Sequence, residues 1–240
     1  MANILITICA RGGSKGIPGK NIKPINGRPL INYTIDVANE FVRKYKKCDL
    51  VLSTDSEKIK EVVSNLAIDA EYTRPQRLAD DNAGKPEAIK DVMLWSERKY
   101  NKTYDYVIDL DITSPLRTVE DIENCLKLVT DYPDTLTSFS VSPCHRNPYF
   151  NMVEIMEDGF CKVVLGGKYK TRQSAPRVYD MNASIYVYRR EALDTENPVA
   201  VTPKSRCYEL NHICFDLDEP YDFEYLDFLI SNGKLRNILS

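Results

Sequence analysis

Hydrophobic and polar positions in the first half of the chain follow two alternating spacings. Short apolar runs alternate with segments in which apolar residues recur every third or fourth position. The run Ile4–Cys9 has the length of a buried strand, whereas the apolar residues from Leu30 to Phe41 have helical spacing. The same analysis predicts strands at 50–52, 70–72 and 106–110 and helices at 59–66 (capped by Ser56), 87–100 and 119–129. This alternation predicts a three-layer, doubly wound α/β fold with a mostly parallel sheet.

The pattern changes after Ser140. Residues 142–182 contain short alternating runs and the pair Gly166-Gly167, which together predict a small β-hairpin arm. A core strand resumes at 183–188, and a further short strand at 212–215 precedes a C-terminal amphipathic helix that ends at about residue 232. Since no internal repeat or low-complexity linker divides the sequence, we predict a single domain, 1–240, that carries the arm.

The segment Ala10–Asn21, directly after the first strand, carries the strongest chemical signal. It contains four glycines, three cationic side chains (Arg11, Lys15 and Lys20) and no acidic residue. Glycines let backbone N–H groups approach an anion closely, and the cations add charge at the same place. The loop therefore predicts a polyphosphate site. The alternative is a flexible basic turn, although strand–helix turns are usually short and rarely hold so much glycine and charge.

Two common phosphate-binding motifs do not fit this loop. A Walker A loop has a glycine five residues before its Gly-Lys pair and a Ser or Thr after it. Here Ser14 takes the first place and Asn21 follows Gly19-Lys20. The glycines also miss the spacing of the dinucleotide fingerprint. Kinase-like and dinucleotide-binding functions are therefore disfavoured.

Composition and charge exclude other classes of protein. The chain has 240 residues, 43% of them hydrophobic, and a formal net charge of −3, which favours one well-packed domain and no nucleic-acid partner. Its apolar runs are too short to cross a membrane, and the first meets Arg11 too early for a signal peptide. We therefore expect no membrane partner and a cytoplasmic location. The seven cysteines form no C-x-x-C pair, so a structural zinc site is not expected.

Carboxylates follow two of the predicted strands. Asp216 and Asp218 flank a leucine at the end of a short strand, where alternation places both side chains on one face. Such a pair suits a hard cation, Mg²⁺ or Mn²⁺, although Asp218 could instead cap the last helix. Asp111 follows the strand at 106–110 and should lie where the carboxyl ends of the strands form a cleft. There it could bind sugar hydroxyls or a metal, or remain a charge at the sheet edge.

Two arginines are candidates for substrate recognition. Arg74 begins a polar loop at 74–84 that should face the same cleft, and its guanidinium could donate to a base or ribose oxygen. The alternative is a solvated turn. Arg172-Gln173 precedes the strand at 183–188 and could bind a substrate carboxylate in a bidentate manner, although a lone arginine is more often a surface residue.

Together these segments resemble the acylneuraminate cytidylyltransferases, the CMP-sugar synthetases that activate nonulosonic acids. The resemblance covers nearly the whole chain. The matching segments are A-R-G-G-S-K-G…G-K-N at 10–21, R-P…L-A-D-D at 74–81, T-S-P-L-R at 113–117, R-Q at 172–173, N-A-S-I-Y at 182–186 and F-D-L-D at 215–218. The D-L-D before T-S-P-L-R, with R-N-P-Y-F-N and Y-D-M-N-A-S-I-Y, is most similar to the CMP-legionaminic acid synthetase branch.

The resemblance implies a role for each matching residue. The implied nucleotide contacts are Arg11, Gly13, Ser14, Lys15, Lys20, Asn21 and Arg74. The implied magnesium ligands are Asp216 and Asp218. The implied sugar-binding region, which we place beside Asp111, contains Arg172, Gln173, Asn182 and Tyr186. The resemblance also implies a nucleotidyltransferase fold of the GT-A-like type and a homodimer in which the arm reaches the partner's cleft.

The implied reaction transfers CMP from CTP to the anomeric hydroxyl of a nine-carbon α-keto acid sugar, legionaminic or N-acylneuraminic acid, and releases pyrophosphate. Arg11 and Lys20 would stabilise charge on the pyrophosphate, and Asp216 and Asp218 would hold one or two Mg²⁺ ions, so these four residues are the catalytic candidates.

The sugar is the least determined part of this prediction. The chain has Asp111-Ile112 where sialic-acid enzymes usually have Gln-Pro, and Ala183 where they have Gly. The alternatives are synthesis of CMP-pseudaminic acid or CMP-Kdo, a metal-dependent glycosyltransferase that binds an already activated donor, and a non-catalytic nucleotide-binding module.

Overall fold

The structure is a computed structural model that describes residues 2–13, 17–80 and 83–239. Its strands are β1 (Ile4–Cys9), β2 (Pro24–Ile25), β3 (Arg28–Pro29), β4 (Cys48–Ser53), β5 (Tyr106–Leu110), β6 (Thr137–Pro143), β7 (Val153–Ile155), β8 (Cys161–Val163), β9 (Tyr179–Arg189) and β10 (Ser205–Glu209). Its α-helices are α1 (Leu30–Lys44), α2 (Glu57–Val63), α3 (Lys85–Tyr100), α4 (Val119–Thr130), α5 (Arg190–Leu193) and α6 (Pro220–Ser231).

A six-stranded sheet in the order β10-β6-β9-β5-β1-β4 forms the middle layer. β1 runs parallel to β4 and β5, and β10 runs parallel to β6, whereas β9 is antiparallel to both of its neighbours. The predicted mostly parallel α/β sheet is therefore confirmed. Within the described ranges, no helix is both long and apolar enough to span a membrane.

Helices cover both faces of this sheet because successive strand side chains point to opposite sides. Ile6 of β1 and Ile108 of β5 pack with the apolar residues of α1, α4 and α6. Their neighbours Leu5 and Val107 point to the other face and pack with α3. These two apolar clusters are the cores of a three-layer sandwich, as predicted.

Some strand predictions were wrong. Residues 70–72 form no strand, because Glu71 N bonds to the side chain of Asp69 and contact with β4 is limited to isolated bridges. The predicted strand at 212–215 is irregular backbone. β6 and β10 were missed, because the serines and threonines that β6 buries and the polar edge strand β10 do not form an apolar run.

The arm joins β6 to β9 and contains the hairpin formed by β7 and β8. It is shorter than the predicted 142–182, because Ser142 and Pro143 already pair in the main sheet with Asp180 and Tyr179. Large apolar side chains on the hairpin are exposed, including Ile155 at 77% and Phe160 at 74%.

Candidate active site

A cavity of about 560 Å³ opens at the carboxyl ends of β1, β4 and β5. It brings together residues from the glycine loop, the 74–84 loop, the end of β5 and the segment before α6. The predicted site residues that line it are Arg11, Lys20, Asn21, Arg74, Asp111 and Asp218. Segments that are far apart in sequence thus form one site, as the topology of a parallel sheet predicts.

The start of the glycine loop is fixed against the turn after β4. Gly12 N donates to Asp55 Oδ1 over 2.8 Å. A Cβ on Gly12 would lie 3.0 Å from Ser56 Cβ, so a larger residue there would require Ser56 to shift by a few tenths of an ångström, and this close approach favours glycine. A Cβ on Gly13 would meet no described atom within 4 Å. Two further predicted nucleotide contacts, Ser14 and Lys15, lie outside the described residues.

The end of the loop connects to the acidic segment. Gly19 has φ of +66°, which favours glycine, and it precedes a 3₁₀ turn at Lys20–Ile22. Asn21 is buried and donates through Nδ2 to Arg11 O over 3.0 Å, which closes the loop on itself. Lys20 Nζ lies 3.0 Å from Asp218 Oδ1, so the end of the cationic loop and this carboxylate meet at the wall of the cavity.

Asp216 and Asp218 lie on irregular backbone that is held by the buried Leu217, whose N donates to Thr113 O over 2.8 Å. Asp218 does not cap α6, so the capping alternative was wrong. The cap is Glu219, which forms a capping box with Asp222. The Asp218 side chain is instead 72% exposed and contacts Lys20.

The carboxylate of Asp216 is in an environment that favours a cation. Its Oδ1 is buried and has no hydrogen-bond partner in the part of the chain that the structure describes. Burial, together with the negative charges of Asp111 and Asp218, raises the pKa of the Asp216 carboxyl to about 6, although Ser114 and Lys20 act in the opposite direction. A bound cation would satisfy the buried oxygen and stabilise the charged form.

The donor set also fits a hard divalent ion. Carboxylate oxygens are the ligands that Mg²⁺ and Mn²⁺ prefer, and Mg²⁺ is commonly held by one or two carboxylates plus substrate phosphates. The described residues contain no group of three or more His, Cys, Asp or Glu side chains that could hold an ion by themselves. Asp216 and Asp218 could therefore hold a metal together with oxygens from a phosphorylated substrate.

Arg74 is a buried wall of the cavity, so the solvated-turn alternative was wrong. Its Nε donates to Ser53 Oγ over 3.0 Å and an Nη donates to Ser53 O over 2.8 Å at the end of β4. Its backbone N donates to Thr54 O over 2.8 Å. These bonds fix the plane of a guanidinium that contacts the cavity.

Lys85 is a cavity residue that sequence reasoning missed. Its Nζ lies 2.7 Å from Asp109 Oδ2 and 2.6 Å from Asp111 Oδ2. Asp109 is fully buried and also accepts from Thr7 Oγ1 over 2.8 Å. Burial would lower the pKa of Lys85, but the two carboxylates outweigh it and raise the pKa well above its ordinary value. Asp111 is thus held by an ion pair inside the cavity and is not an isolated edge charge.

Asp111 should contribute stability that is lost in acid. Burial favours its neutral form, but Lys85 and the two bonds from Thr113 outweigh burial and lower the pKa of Asp111 from 3.8 to about 2. That difference corresponds to about 2 kcal/mol of unfolding free energy, present above pH 3.8 and lost as the pH falls towards 2. Denaturant unfolding at pH 5 and pH 2 should show a smaller loss in Asp111→Asn than in the wild type. The exposed Asp134 gives a matched control, since Asp134→Asn should keep the wild-type loss. Equal losses in all three proteins would contradict this ion pair.

Arg117 was also missed as a structural residue of the site. It is fully buried, and burial lowers the pKa of its guanidinium to about 10. It donates to the carbonyl oxygens of Asp111 and Ser114, to Ser184 Oγ over 2.8 Å and to Thr34 Oγ1 over 3.2 Å. It therefore fixes the loop that positions Asp111 and Thr113.

The predicted sugar-binding residues are only partly brought together in one chain. Tyr186 lies on β9 with its ring centroid 5.3 Å from Lys85 Nζ, beside the cavity. Asn182 is buried, and its amide bonds to Ser140 and Ser142 across the irregular pairing of β6 and β9. Arg172 and Gln173 line a separate cavity of about 220 Å³ on the arm.

A comparison of the chain with protein-family models identifies its family. The model described as cytidylyltransferase matches residues 5–201, a range that includes β1, the glycine loop and most of the arm and sheet. The chain belongs to the cytidylyltransferase family. The resemblance stated from the sequence is therefore confirmed.

Two relatives and one solved structure are similar to this chain over nearly its whole length. This cytidylyltransferase is 39% identical to CMP-N,N'-diacetyllegionaminic acid synthase from Campylobacter jejuni, over 99% of this chain and 98% of that protein. It is 37% identical to post-translational flagellin modification protein B from Campylobacter coli, over 98% of both chains. The solved structure of CMP:2-keto-3-deoxy-manno-octonic acid synthetase complexed with CTP has a TM-score of 0.70 at 18% identity and covers 97% of this chain and 100% of that one. This last similarity shows the fold.

Proposed function

We propose that this cytidylyltransferase transfers CMP from CTP to the anomeric hydroxyl of a nonulosonic acid and releases pyrophosphate. The observation that carries the proposal is the cavity in which a cationic glycine loop meets Asp218 through Lys20, with Asp216 close enough to interact with both of these side chains. The cationic loop would bind a triphosphate, and the carboxylates would bind the divalent ion that accompanies it. One of the relatives described above supports the sugar class, since it is named CMP-N,N'-diacetyllegionaminic acid synthase.

In this reaction the sugar oxygen forms a bond to the α-phosphorus, the bond from that phosphorus to the bridging oxygen of pyrophosphate breaks, and the hydroxyl proton is released to solvent. The protein's contribution is to position the reactants and stabilise charge. Arg11 and Lys20 bind the phosphate chain and stabilise the departing pyrophosphate. Arg74, fixed by Ser53, contacts the nucleoside, and Asn21 holds the loop closed through Arg11 O. Asp111 and Tyr186 lie on the sugar side.

Asp216 and Asp218 would hold the divalent ion. Bound there, Mg²⁺ or Mn²⁺ would neutralise phosphate charge and favour ionisation of the attacking hydroxyl. Lys20 Nζ lies 3.0 Å from Asp218 Oδ1, so the cation of the glycine loop is adjacent to the proposed metal ligand.

The reaction and the sugar can be tested in one experiment. Pyrophosphate release is measured with CTP and, in separate reactions, legionaminic, N-acylneuraminic, pseudaminic and Kdo substrates. We expect release that requires both CTP and a nonulosonic acid. Release should be fastest with legionaminic acids, because CMP-N,N'-diacetyllegionaminic acid synthase matches 99% of this chain. Release with CTP and Kdo, and with none of the other three sugars, would change the proposed substrate class from nonulosonic acids to Kdo. No release with any sugar, together with CTP binding, would favour a non-catalytic nucleotide-binding module.

We also propose a homodimer in which the arm of one chain contacts the other. Exposed apolar residues on the hairpin support this arrangement, and so does the position of Arg172, which lines a cavity separate from the main one. The partner's arm would bring Arg172 and Gln173 towards the sugar. We place the reaction in the cytoplasm, where CTP is available.

The arm should determine the oligomeric state. Phe160 is 74% exposed on the hairpin, and Phe160→Asp would place a charge in the proposed apolar contact. Light scattering should then give the mass of a monomer, whereas the wild type gives a dimer. Val199→Asp is the control, because Val199 is exposed and lies outside the arm. A Phe160→Asp protein that remains dimeric would exclude the hairpin from the interface.

A further inference from the structure

The segment that carries Asp216 and Asp218 crosses irregularly from β10 to α6. In the stretch from 210 to 217, which is fully described, backbone N–H groups bond to other elements at its two ends. Leu210 N donates to Val141 O over 3.0 Å, and Leu217 N donates to Thr113 O over 2.8 Å. Between these ends the position of the segment depends on its side chains.

His212 supplies a polar anchor within this stretch. Its Nε2 lies 2.9 Å from Asp121 Oδ2 in the first turn of α4, and its Nδ1 lies 3.0 Å from Ile213 O. A carboxylate and a carbonyl oxygen both accept hydrogen bonds, so each ring nitrogen must carry a proton for both bonds to form. This geometry requires the imidazolium form of His212.

Asp121 is arranged to bind such a cation. Its carboxylate is almost fully buried, and Oδ2 also accepts from Thr118 N over 2.7 Å and from Thr118 Oγ1 over 2.6 Å. Burial would raise the pKa of Asp121, but the bonds from His212 and Thr118 outweigh it and lower that pKa. The bond to Asp121 in turn raises the pKa of His212 above 6.5, against the effect of burial.

The other titratable groups that interact with Asp121 do not gain or lose a proton near neutral pH. Arg117, Cys125 and Tyr208 all interact with Asp121. Burial lowers the pKa of Arg117 to about 10, which leaves it cationic, and burial raises the pKa of Cys125 and of Tyr208, which leaves both neutral. Among His212 and these three groups, the one whose charge changes near neutral pH is therefore His212, whereas Asp216 further along the segment has a pKa of about 6.

We propose that His212, as an imidazolium bound to Asp121, is a positioning residue that holds the Asp216–Asp218 segment against α4. The inference rests on the proposed role of these two aspartates in binding a divalent ion. The ring acts through Ile213 and the backbone that follows. Because the pKa of His212 is raised in the folded protein, the contribution is complete below pH 6.5 and is lost as the pH rises through the raised value. One ring nitrogen then faces an acceptor without a proton, so the anchor is weakened by the loss of one hydrogen bond and of the positive charge beside Asp121.

Proton NMR of the histidine rings tests the pair directly. The chain has two histidines, His145 and His212, and His145→Gln leaves the His212 signal alone. We expect its titration midpoint to lie above 6.5 and to fall in Asp121→Asn. A midpoint at or below 6.5 in the His145→Gln protein would overturn the proposal. The measurement in the His145→Gln protein leaves α4 and its cap unchanged, whereas Asp121→Asn alters the capping box of α4.

Binding of Mn²⁺ alone, measured by electron paramagnetic resonance, tests the positioning role. The two pH values compared lie on either side of the His212 midpoint and both above the pKa of about 6 of Asp216, whose ionisation strengthens metal binding. The dissociation constant of the wild type should rise by about tenfold from the lower to the higher pH, the low end of what groups that orient metal ligands contribute. His212→Gln keeps a neutral donor and should show no such rise, while the matched control His145→Gln should follow the wild type. Equal pH responses in the wild type and His212→Gln would overturn this inference alone. Absence of Mn²⁺ binding at both pH values, with CTP present as well as without it, would overturn the proposed metal role of the aspartates and this inference with it.

Discussion

Asp218→Asn should lower the rate of pyrophosphate release by about a thousandfold while CTP still raises the melting temperature. A metal that neutralises phosphate charge contributes several kcal/mol to the transition state, and each 1.4 kcal/mol or so is about tenfold in rate. Asp218 is not needed for the fold, since it is 72% exposed and Glu219 caps α6. The proposed CTP contacts, Arg11, Arg74 and the glycine loop, are all kept in the variant.

Glu219→Gln is the matched control for this variant, because it removes the adjacent carboxylate. Glu219 lies outside the residues that line the cavity and acts on the cap of α6. We expect near wild-type turnover and a loss of stability of at most about 1 kcal/mol. Mn²⁺ binding provides a second measurement, which should weaken in Asp218→Asn and persist in Glu219→Gln. Wild-type turnover in Asp218→Asn would exclude Asp218 from the metal site.

The fold was predictable where burial produces a regular apolar pattern. β1 and β5 are buried on both faces, and their sequences are nearly continuous apolar runs. β6 is equally buried but contains Thr137, Ser138 and Ser140, whose hydroxyls bond to Ala200 O, Cys125 O and the side chain of Asn182. Hydroxyls that are satisfied by distant residues make a buried strand look polar, and no local spacing reveals that.

The site was predictable where one segment carries its own chemical signal, as the glycine loop and the two aspartates do. Lys85 carried a weaker signal. It is the first residue of α3, where a cation opposes the helix dipole, so its position there suggests a partner carboxylate. The partners Asp109 and Asp111 lie at the end of β5, and only the pairing of strands brings them to Lys85. Arg117 gave no signal, because its importance comes entirely from the carbonyl and hydroxyl groups that surround it in the fold.

Arg11→Ala should lower kcat/KM for CTP by about 30- to 1000-fold, which corresponds to the loss of one donor that stabilises a developing anion, about 2–4 kcal/mol. Arg11 lines the cavity at the start of the glycine loop. Its backbone carbonyl, which accepts from Asn21 Nδ2 over 3.0 Å, remains in the alanine variant, so the loop should keep its conformation. Pyrophosphate release at subsaturating CTP measures the effect.

Arg77→Ala separates this local role from a general loss of positive charge. Arg77 lies three residues after Arg74, is 68% exposed on the surface and pairs with Asp91 at 3.0 Å outside the cavity. Its removal should change kcat/KM by less than about twofold, since exposed ion pairs contribute little. A loss below tenfold in Arg11→Ala, similar to that in Arg77→Ala, would mean that the loop is a structural turn. A large loss in Arg11→Ala alone would support direct contact of the arginine with the phosphates.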